Sequence, residues 1–240
     1  MVQGLPLAEE LSAVFARMSG LLLSEETVCT AVGLVTALAA EAVPGAVGAG
    51  VTLVDEEGRK TTSGASDPMV EKADSAQYEL DEGPCLTAWA QRAIVRVDEI
   101  GSDGRWPRWS RAVEPLGLQA ALSAPLVAGD RSLGAVKVYA QVPGAFDRHA
   151  EHLMVMFAAQ AAILLANVQS VDCARRLSDG LKDALRSRDL IATAKGILMA
   201  REGLTEELAF SVLMASAQRQ HQTLREAAQA LVRSTVRRGH

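Results

Sequence analysis

The chain has 240 residues, of which 49% are apolar, 22% are charged and only 4% are aromatic. This composition excludes a disordered or collagen-like chain, and the length suits two domains better than one. Of the three cysteines at least one cannot pair within the chain, and no CxxC motif or Cys/His cluster offers a zinc site.

The net charge of −5 is divided unevenly, with −9 in residues 1–171 and +4 in residues 172–240. A basic module behind an acidic body is typical of proteins in which one part binds a polyanion. A solvated helical face carries a similar excess of charge, so the asymmetry alone leaves both interpretations open.

The first ten residues lack the basic and apolar regions of a secretory signal. Residues 152–171 carry no formal charge and are long enough to span a bilayer, but Gln160 and Asn167 interrupt them and acidic residues flank them. We therefore expect a cytoplasmic protein without a membrane span, in which this segment is a buried or coiled-coil helix.

Helical periodicity covers residues 7–43 in two segments, and Ser24 is predicted to cap the second. Two strands follow at residues 47–55 and near residues 60–65, and they are joined as a hairpin. The elements predicted next are a helix at 86–93, a strand at 94–97, a helix at 108–117, and strands at 120–126 and 133–139. Strands joined by hairpin turns, with a few helices between them, predict one central antiparallel sheet flanked by helices in an α+β domain.

Asp147 opens a predicted helix that runs at least to residue 171 and continues toward residue 185. Its heptad pattern has Phe157, Leu164, Val171 and Leu185 at a positions and Gln160, Asn167, Ala174 and Leu181 at d positions. Such a stripe predicts a signalling helix through which two copies of the chain dimerise. A core helix of the first domain, followed by a separate helix, is the alternative.

The last part of the chain predicts an all-α bundle of three short helices. Gly203 ends the first helix, Thr205 caps the second, and Thr223 with Glu226 forms a capping box for the third.

The sequence offers little for catalysis. The four histidines all lie beyond the predicted sheet, and there is no P-loop or HExxH motif. Gly48-Ala49-Gly50 lies inside a strand and is not a dinucleotide fingerprint. Cys85, at the start of a short helix, is the one plausible nucleophile, although free cysteine is more often a buried packing residue. We therefore expect no enzyme.

Basic residues of the C-terminal bundle are candidates for a binding surface. Arg188 and Lys195 are seven residues apart in one helix and share a face. Gly196 removes a side chain from the helix interior, which suggests the close approach of another backbone, a partner helix or a ligand. Further donors surround the turn into the third helix, where a helix N-terminus favours phosphate. They are Arg219, Gln222 and Arg225.

Residues 184–228 contain a series of short motifs. They are Ser187-Arg188, Ala194-Lys195-Gly196-Ile197-Leu198-Met199, Gly203, Ala209-Phe210 and Leu224-Arg225. This segment resembles the ANTAR domain, a three-helix RNA-binding module of bacterial antitermination regulators. The resemblance implies a dimer that binds a pair of stem-loops in a transcript leader and prevents a terminator from forming.

The segment departs from the ANTAR pattern at Ala217, His221 and Thr223, where the family often has Ser, Asn and Lys. Because the module's one aromatic residue, Phe210, is expected in the core, we expect arginine, His221 and phosphate contacts to dominate RNA binding. The RNA-binding candidates are Arg188, Lys195, Gly196, Arg219, His221, Gln222 and Arg225.

The stretches GAGVTLVDEEG, QYELDEGPCLTAW, DGRWPRW and LGAVKVYA lie between residues 8 and 168, and this part of the chain resembles a GAF domain. The resemblance implies a sensor with a pocket between the sheet and its covering loops. The candidate lining residues, each of which also suits an ordinary core, are Tyr78, Cys85, Trp89, Trp106 and Trp109. The resemblance does not identify a ligand, and we expect neither haem nor metal.

These observations predict a GAF domain at residues 1–168, a linking helix at 147–185 and an ANTAR domain at 177–235, an order familiar in actinobacteria. We expect a homodimer joined through the 147–185 helix, with RNA as its partner. Two alternatives stay open, which are a thiol redox enzyme or sensor that uses Cys85 and a DNA-binding regulator.

Overall fold

The structure is a computed structural model of the chain, and it describes residues 27–237 apart from Glu56 and Gly58. The chain divides into two compact units, Met1–Asp172 and Cys173–His240. The first predicted helix and the predicted cap Ser24 lie outside the described residues. Helix α1, Val28–Ala42, has Thr27 as its N-cap.

The N-terminal unit is built on one five-stranded antiparallel sheet in the order β2-β1-β5-β4-β3. The strands are β1 Gly48–Val54, β2 Lys60–Ala65, β3 Val95–Val97, β4 Ala120–Ala128 and β5 Arg131–Ala140. The prediction of a central antiparallel sheet is confirmed, and the predicted strand ends fall within about two residues of the observed ones.

Helix α2, Pro68–Leu80, lies in a stretch for which the sequence pattern predicts no element. Its signal is the Asp67-Pro68 pair. The Asp67 carboxylate accepts hydrogen bonds from the backbone N–H groups of Met69 and Val70, at 2.8 and 3.2 Å, and proline suits the first turn of a helix. The other helices are α3 Pro84–Gln91, α4 Pro107–Val113, α5 Arg148–Glu202, α6 Glu206–Arg219 and α7 Leu224–Arg237, with a short 3₁₀ helix at Glu114–Leu116.

Both faces of the sheet are covered, so its strands contribute to two cores. In β5, Val136 and Val138 belong to a first core that includes residues of α1 and the start of α5. Tyr139 points to the other face, into a second core with residues of α2, α3 and α4. This alternation places Lys137, which lies between Val136 and Val138, on the face of the second core.

The long helix α5 begins after Asp147, whose carboxylate accepts a hydrogen bond from the N–H of Ala150 at 2.9 Å. By length and composition alone this helix is apolar enough to cross a membrane. Leu153, Phe157 and Leu165 are nevertheless buried in the first core. The apolar composition of this stretch is therefore that of a core helix.

The predicted heptad seam is not available in the first half of α5. Phe157 and Leu164, placed at a positions, are only 0% and 2% exposed and lie in the first core, whereas Gln160 and Asn167 are exposed. A core-facing stripe and a coiled-coil seam have nearly the same spacing, so the sequence pattern does not separate them.

The C-terminal unit has the three predicted helices, of which the first is the end of α5. Gly203, with φ +66°, follows α5, and the side chain of Thr205 caps α6. The predicted capping box is present, because Glu226 accepts a hydrogen bond from the N–H of Thr223 at 2.8 Å and Thr223 accepts one from the N–H of Glu226 at 3.2 Å. The small core of this unit consists of Ala194, Leu198, Ala209, Leu213, Ala217, Ala227 and Ala228.

Replacing Gly134 with alanine tests the close approach of the paired strands β5 and β1. Gly134 has φ +152°, and a Cβ there would overlap the carbonyl oxygen of Thr52. We expect Gly134→Ala to lower the free energy of unfolding by about 3 kcal/mol. Urea unfolding followed by tryptophan fluorescence measures this, because all three tryptophans lie in the N-terminal unit.

The matched control is Gly33→Ala, at a position in α1 where no atom lies within 4 Å of an added Cβ. Alanine in a helix interior is expected to stabilise this unit by about 0.5–1 kcal/mol. Equal stability of the two variants would contradict the close approach of the two strands.

Candidate functional site

A fully buried lysine lies at the centre of the second core. The Lys137 side chain is 0% exposed, and its Nζ lies 2.5 Å from Asp74 Oδ2 and 2.6 Å from Thr52 Oγ1. A buried charge is very costly unless it is paired and hydrogen-bonded. The three residues come from β5, α2 and β1, so the ion pair joins the sheet to the helix that covers it.

Further hydrogen bonds extend from this ion pair. The hydroxyl of Tyr139 donates to Asp74 Oδ1 at 3.2 Å, and the Gln77 amide donates to the Tyr139 hydroxyl at 3.1 Å. The Gln77 carbonyl in turn accepts from the backbone N–H of Cys85 at 2.8 Å. We call Lys137, Asp74, Thr52, Tyr139 and Gln77 the buried polar cluster.

Of the two glycines in β1, Gly50 makes room for this cluster and Gly48 for the start of α2. A Cβ at Gly50 would lie 2.5 Å from Lys137 Cε and 2.8 Å from Asp74 Oδ2, and one at Gly48 would lie 2.6 Å from a methyl group of Val70. The Gly-Ala-Gly stretch therefore has a packing role.

The charges of the cluster set its protonation states. Burial lowers the pKa of Lys137, but its interactions with Asp74 and Cys85 together outweigh burial and hold that pKa above its ordinary value. Burial and the same carboxylate raise the pKa of Tyr139. The lysine is therefore charged and the phenol neutral at physiological pH.

Cys85 does not have the surroundings of a reactive thiol. It lies in the first turn of α3, as predicted, but it is buried. Burial raises the pKa of the Cys85 thiol, and the opposing charge of Lys137 is not sufficient to reverse this. The thiolate that nucleophilic chemistry needs is disfavoured.

The structure does not bring the five predicted pocket residues together. Trp106 and Trp109 pack edge to face in the second core with ring centroids 6.4 Å apart, and their indole N–H groups donate to Thr87 and to the carbonyl of Ala73. Their large apolar area serves the core of this unit.

The other three predicted pocket residues lie in two places. Tyr78 and Cys85 adjoin the buried polar cluster, and the ammonium group of Lys60 lies 5.5 Å from the centre of the Tyr78 ring. Trp89, in contrast, is half-buried at a surface cleft at one end of the sheet.

In the C-terminal unit, Arg188 and Lys195 differ in surroundings. The Arg188 side chain is 79% exposed, and its Nε lies 3.9 Å from the carboxylate of Asp189. The Lys195 side chain is only 20% exposed, and its ammonium group is ion-paired with the carboxylate of Glu206 at the start of α6. No atom lies within 4 Å of a Cβ built on Gly196, so the close approach suggested by this glycine does not come from the described part of the chain.

A second basic group surrounds the turn between α6 and α7. Arg219, His221, Gln222 and Arg225 are all exposed, and His221 has φ +52°. Within residues 173–237, no hydrogen bond or ion pair joins these residues to Arg188 or Lys195. Phe210, expected in the core, is 38% exposed and is available at the surface.

Sequence reasoning misses the buried polar cluster, although a signal for it exists. Lys137 stands in the middle of the apolar stretch LGAVKVYA, and its neighbours on the same face of the strand, Ala135 and Tyr139, are not charged, which indicates a buried face. Among the described residues, no group of three His, Cys, Asp or Glu side chains is placed to hold a metal ion.

The chain thus has an antiparallel sheet between helical layers, followed by a small basic helical unit. The model of the GAF domain family matches residues 27–166, and that of the ANTAR domain matches residues 179–232. The chain therefore belongs to the GAF domain family and carries a C-terminal ANTAR domain, which confirms both resemblances.

Solved structures with the same fold match the N-terminal unit. The GAF domain of a phosphoenolpyruvate-protein phosphotransferase from Acinetobacter is 18% identical, covering 68% of this chain and 97% of its own, with a TM-score of 0.50. Free methionine-R-sulfoxide reductase from Neisseria meningitidis is 15% identical, covering 71% and 97%, with a TM-score of 0.52. At this identity the likeness shows the fold alone. No curated protein matches the chain significantly.

Replacing Lys137 with methionine tests the buried ion pair. Lys137→Met leaves the Asp74 carboxylate buried without its counter-charge, so we expect a loss of about 3–5 kcal/mol in the free energy of unfolding. The double variant Lys137→Met/Asp74→Asn removes both charges and is expected to recover part of that loss. Urea unfolding measures the free energy of unfolding of both variants. A double variant no more stable than the single one would contradict the pairing.

Titration with Ellman's reagent tests the state of Cys85. Cys29 and Cys173 are exposed and Cys85 is buried. We expect Cys29 to react quickly in the native chain and Cys85 only after unfolding, with the Cys85→Ala chain as the control. Rapid reaction of all three thiols would restore the interpretation of Cys85 as a reactive group.

Proposed function

We propose that the chain is a transcription antitermination regulator that binds stem-loop RNA through its ANTAR domain under the control of its GAF domain. The observation that carries this proposal is the ANTAR match over residues 179–232. The excess of basic residues in the same part of the chain supports it.

The first proposed contact with RNA is made by Arg188. Its exposed guanidinium group is always charged and offers a planar set of donors that fits a phosphate. Lys195 contributes a second charge once a phosphate replaces the carboxylate of Glu206 as its partner. The open side of Gly196 leaves room for a nucleotide backbone between them.

The second proposed contact uses the turn between α6 and α7. Loop bases in RNA are recognised by stacking on aromatic or guanidinium planes, and this turn carries Arg219, His221 and Arg225, all of them exposed. Gln222 adds a neutral donor and acceptor. Apart from the histidines, Phe210 is the only aromatic residue of this unit, and its exposure makes it a further candidate for stacking.

We propose that two copies of the chain pair through the middle of α5. Leu177, Leu181 and Leu185 are 75%, 61% and 46% exposed, and they lie four residues apart on one face of the helix. Pairing with a second copy removes this apolar surface from water at about 25 cal/mol per Å². Charged residues on the neighbouring faces, such as Lys182 and Asp179, stay solvated.

Control by the GAF domain is proposed to act through α5, which contributes residues to both cores. A signal that changes the pairing of α5 shifts the population of chains able to bind two stem-loops at once. We place this regulator in the cytoplasm, where transcription occurs.

The burial of Cys85 makes the thiol redox alternative the weaker one. DNA binding is distinguished by competition, because both nucleic acids bind basic surfaces in a salt-dependent way. Excess duplex DNA at fixed salt should not displace bound stem-loop RNA.

Alanine variants of the basic residues test RNA binding. Arg188→Ala and Lys195→Ala are each expected to weaken the binding of a two-stem-loop RNA severalfold and to reduce the salt dependence by about one counterion. Fluorescence anisotropy over a series of salt concentrations measures both effects.

The matched control for these variants is Lys182→Ala, which removes an exposed lysine of the same helix. Circular dichroism checks that each variant stays folded. Unchanged RNA affinity in both Arg188→Ala and Lys195→Ala would contradict the proposed surface.

A charge on the leucine face tests dimerisation. Leu181→Arg is expected to convert the dimer to a monomer in sedimentation equilibrium, because two arginines would face each other in an apolar seam. Asp183→Arg introduces the same side chain on another face and should leave the dimer intact. A natural chain that is monomeric at all concentrations would contradict the proposed pairing through α5.

A further inference from the structure

The N-terminal unit has an open cleft at one end of its sheet. It has a volume of about 380 Å³, within the range of small-molecule sites. Residues from the end of β1, the end of α3, the β4–β5 turn and α5 line it. The ones that carry chemistry are Trp89, Arg92, Arg131, Asp130 and Gln169.

Two guanidinium groups in the lining make no ion pair within the described part of the chain. Neither Arg92 nor Arg131 has an ion-pair partner among the described residues, and both are exposed. Asp55, which also lines the cleft, is ion-paired at 2.8 Å with Arg59, which also pairs with Glu57 at 3.0 Å. With Asp130 as the other carboxylate, the lining carries two arginines and two acidic residues, and the two guanidinium groups are held in no ion pair with a described residue.

An aromatic plane of fixed orientation lies beside these charges. The indole N–H of Trp89 donates to the carbonyl of Ser132 at 3.4 Å, and the Ser132 hydroxyl donates to the carbonyl of Trp89 at 3.4 Å. These two bonds attach α3 to β5, while the Trp89 side chain stays half-buried at the cleft. A ring held in this way presents a preformed surface for stacking.

Arg92 occupies a position that ordinarily favours glycine. It ends α3 with φ +52°, in the left-handed region, and its backbone N–H bonds to the carbonyl of Ala88. Glycine adopts this conformation without the steric cost that a side chain brings. A long basic side chain here places its charge at the cleft despite that cost.

We propose that this cleft is a binding site for a small organic anion with a planar apolar body. Its carboxylate or phosphate group pairs with Arg92 and Arg131, and its planar part stacks on Trp89. The side-chain amide of Gln169 adds a donor from α5, so the bound anion contacts the helix that also contributes to the ANTAR core. Binding at this site is independent of whether the chain binds RNA.

Fluorine NMR of the full chain labelled with 5-fluorotryptophan tests the site. The three tryptophans give three signals, and Trp89→Phe assigns the one at the cleft. Benzoate and phenyl phosphate are the anionic probes, and their responses distinguish a carboxylate ligand from a phosphate ligand. Benzamide is the neutral match to benzoate, and inorganic phosphate is the anion without a ring.

We expect a saturable shift of the Trp89 signal with at least one aromatic anion and weaker responses to benzamide and inorganic phosphate. Arg92→Gln and Arg131→Gln should each weaken binding about tenfold, the loss of one charge-assisted contact. Asp130→Asn should tighten binding, because it removes a like charge. Arg108→Gln, at an exposed arginine outside the cleft, should change nothing.

Three results would overturn the proposal. They are the absence of a saturable Trp89 shift with both aromatic anions, an equal response to benzamide, and unchanged affinity in both arginine variants.

Discussion

The N-terminal unit depends on one electrostatic constraint, which is the charge of Lys137 inside an apolar core. A lone ammonium group there would be too costly to bury, so Asp74, Thr52 and the hydroxyl network of Tyr139 must surround it. Gly50 in β1 leaves room for the ion pair, and α2 carries its acidic partner Asp74. The pair thus fixes the packing of one helical layer on the sheet.

This packing changes the place where a small ligand is expected to bind the N-terminal unit. The face of the sheet for which a pocket is predicted is occupied by the buried polar cluster and by two tryptophans. Cys85 lies in the same interior, where burial raises the pKa of its thiol. The unpaired arginines and the half-buried Trp89 lie instead at the end of the sheet, where solutes have access.

Much of the architecture can be predicted from the sequence because local sequence signals determine where helices and strands begin and end. Capping residues such as Thr205 and Thr223 and the apolar strands place most elements correctly. The sequence does not show that Phe157 packs in a domain core, because core helices and coiled coils share one spacing. Nor does it show that Lys195 is paired with Glu206, since that contact joins residues from two helices. Side-chain pairing of this kind depends on tertiary structure.

The central claim is that the basic C-terminal unit binds folded RNA. Ultraviolet cross-linking of the full chain in cells, followed by sequencing of the bound RNA, tests it most directly, with the Arg188→Ala/Lys195→Ala chain as the comparison. The account predicts enrichment of transcript leaders that contain two neighbouring stem-loops, and loss of that enrichment in the variant. Equal recovery of RNA from both chains would contradict it.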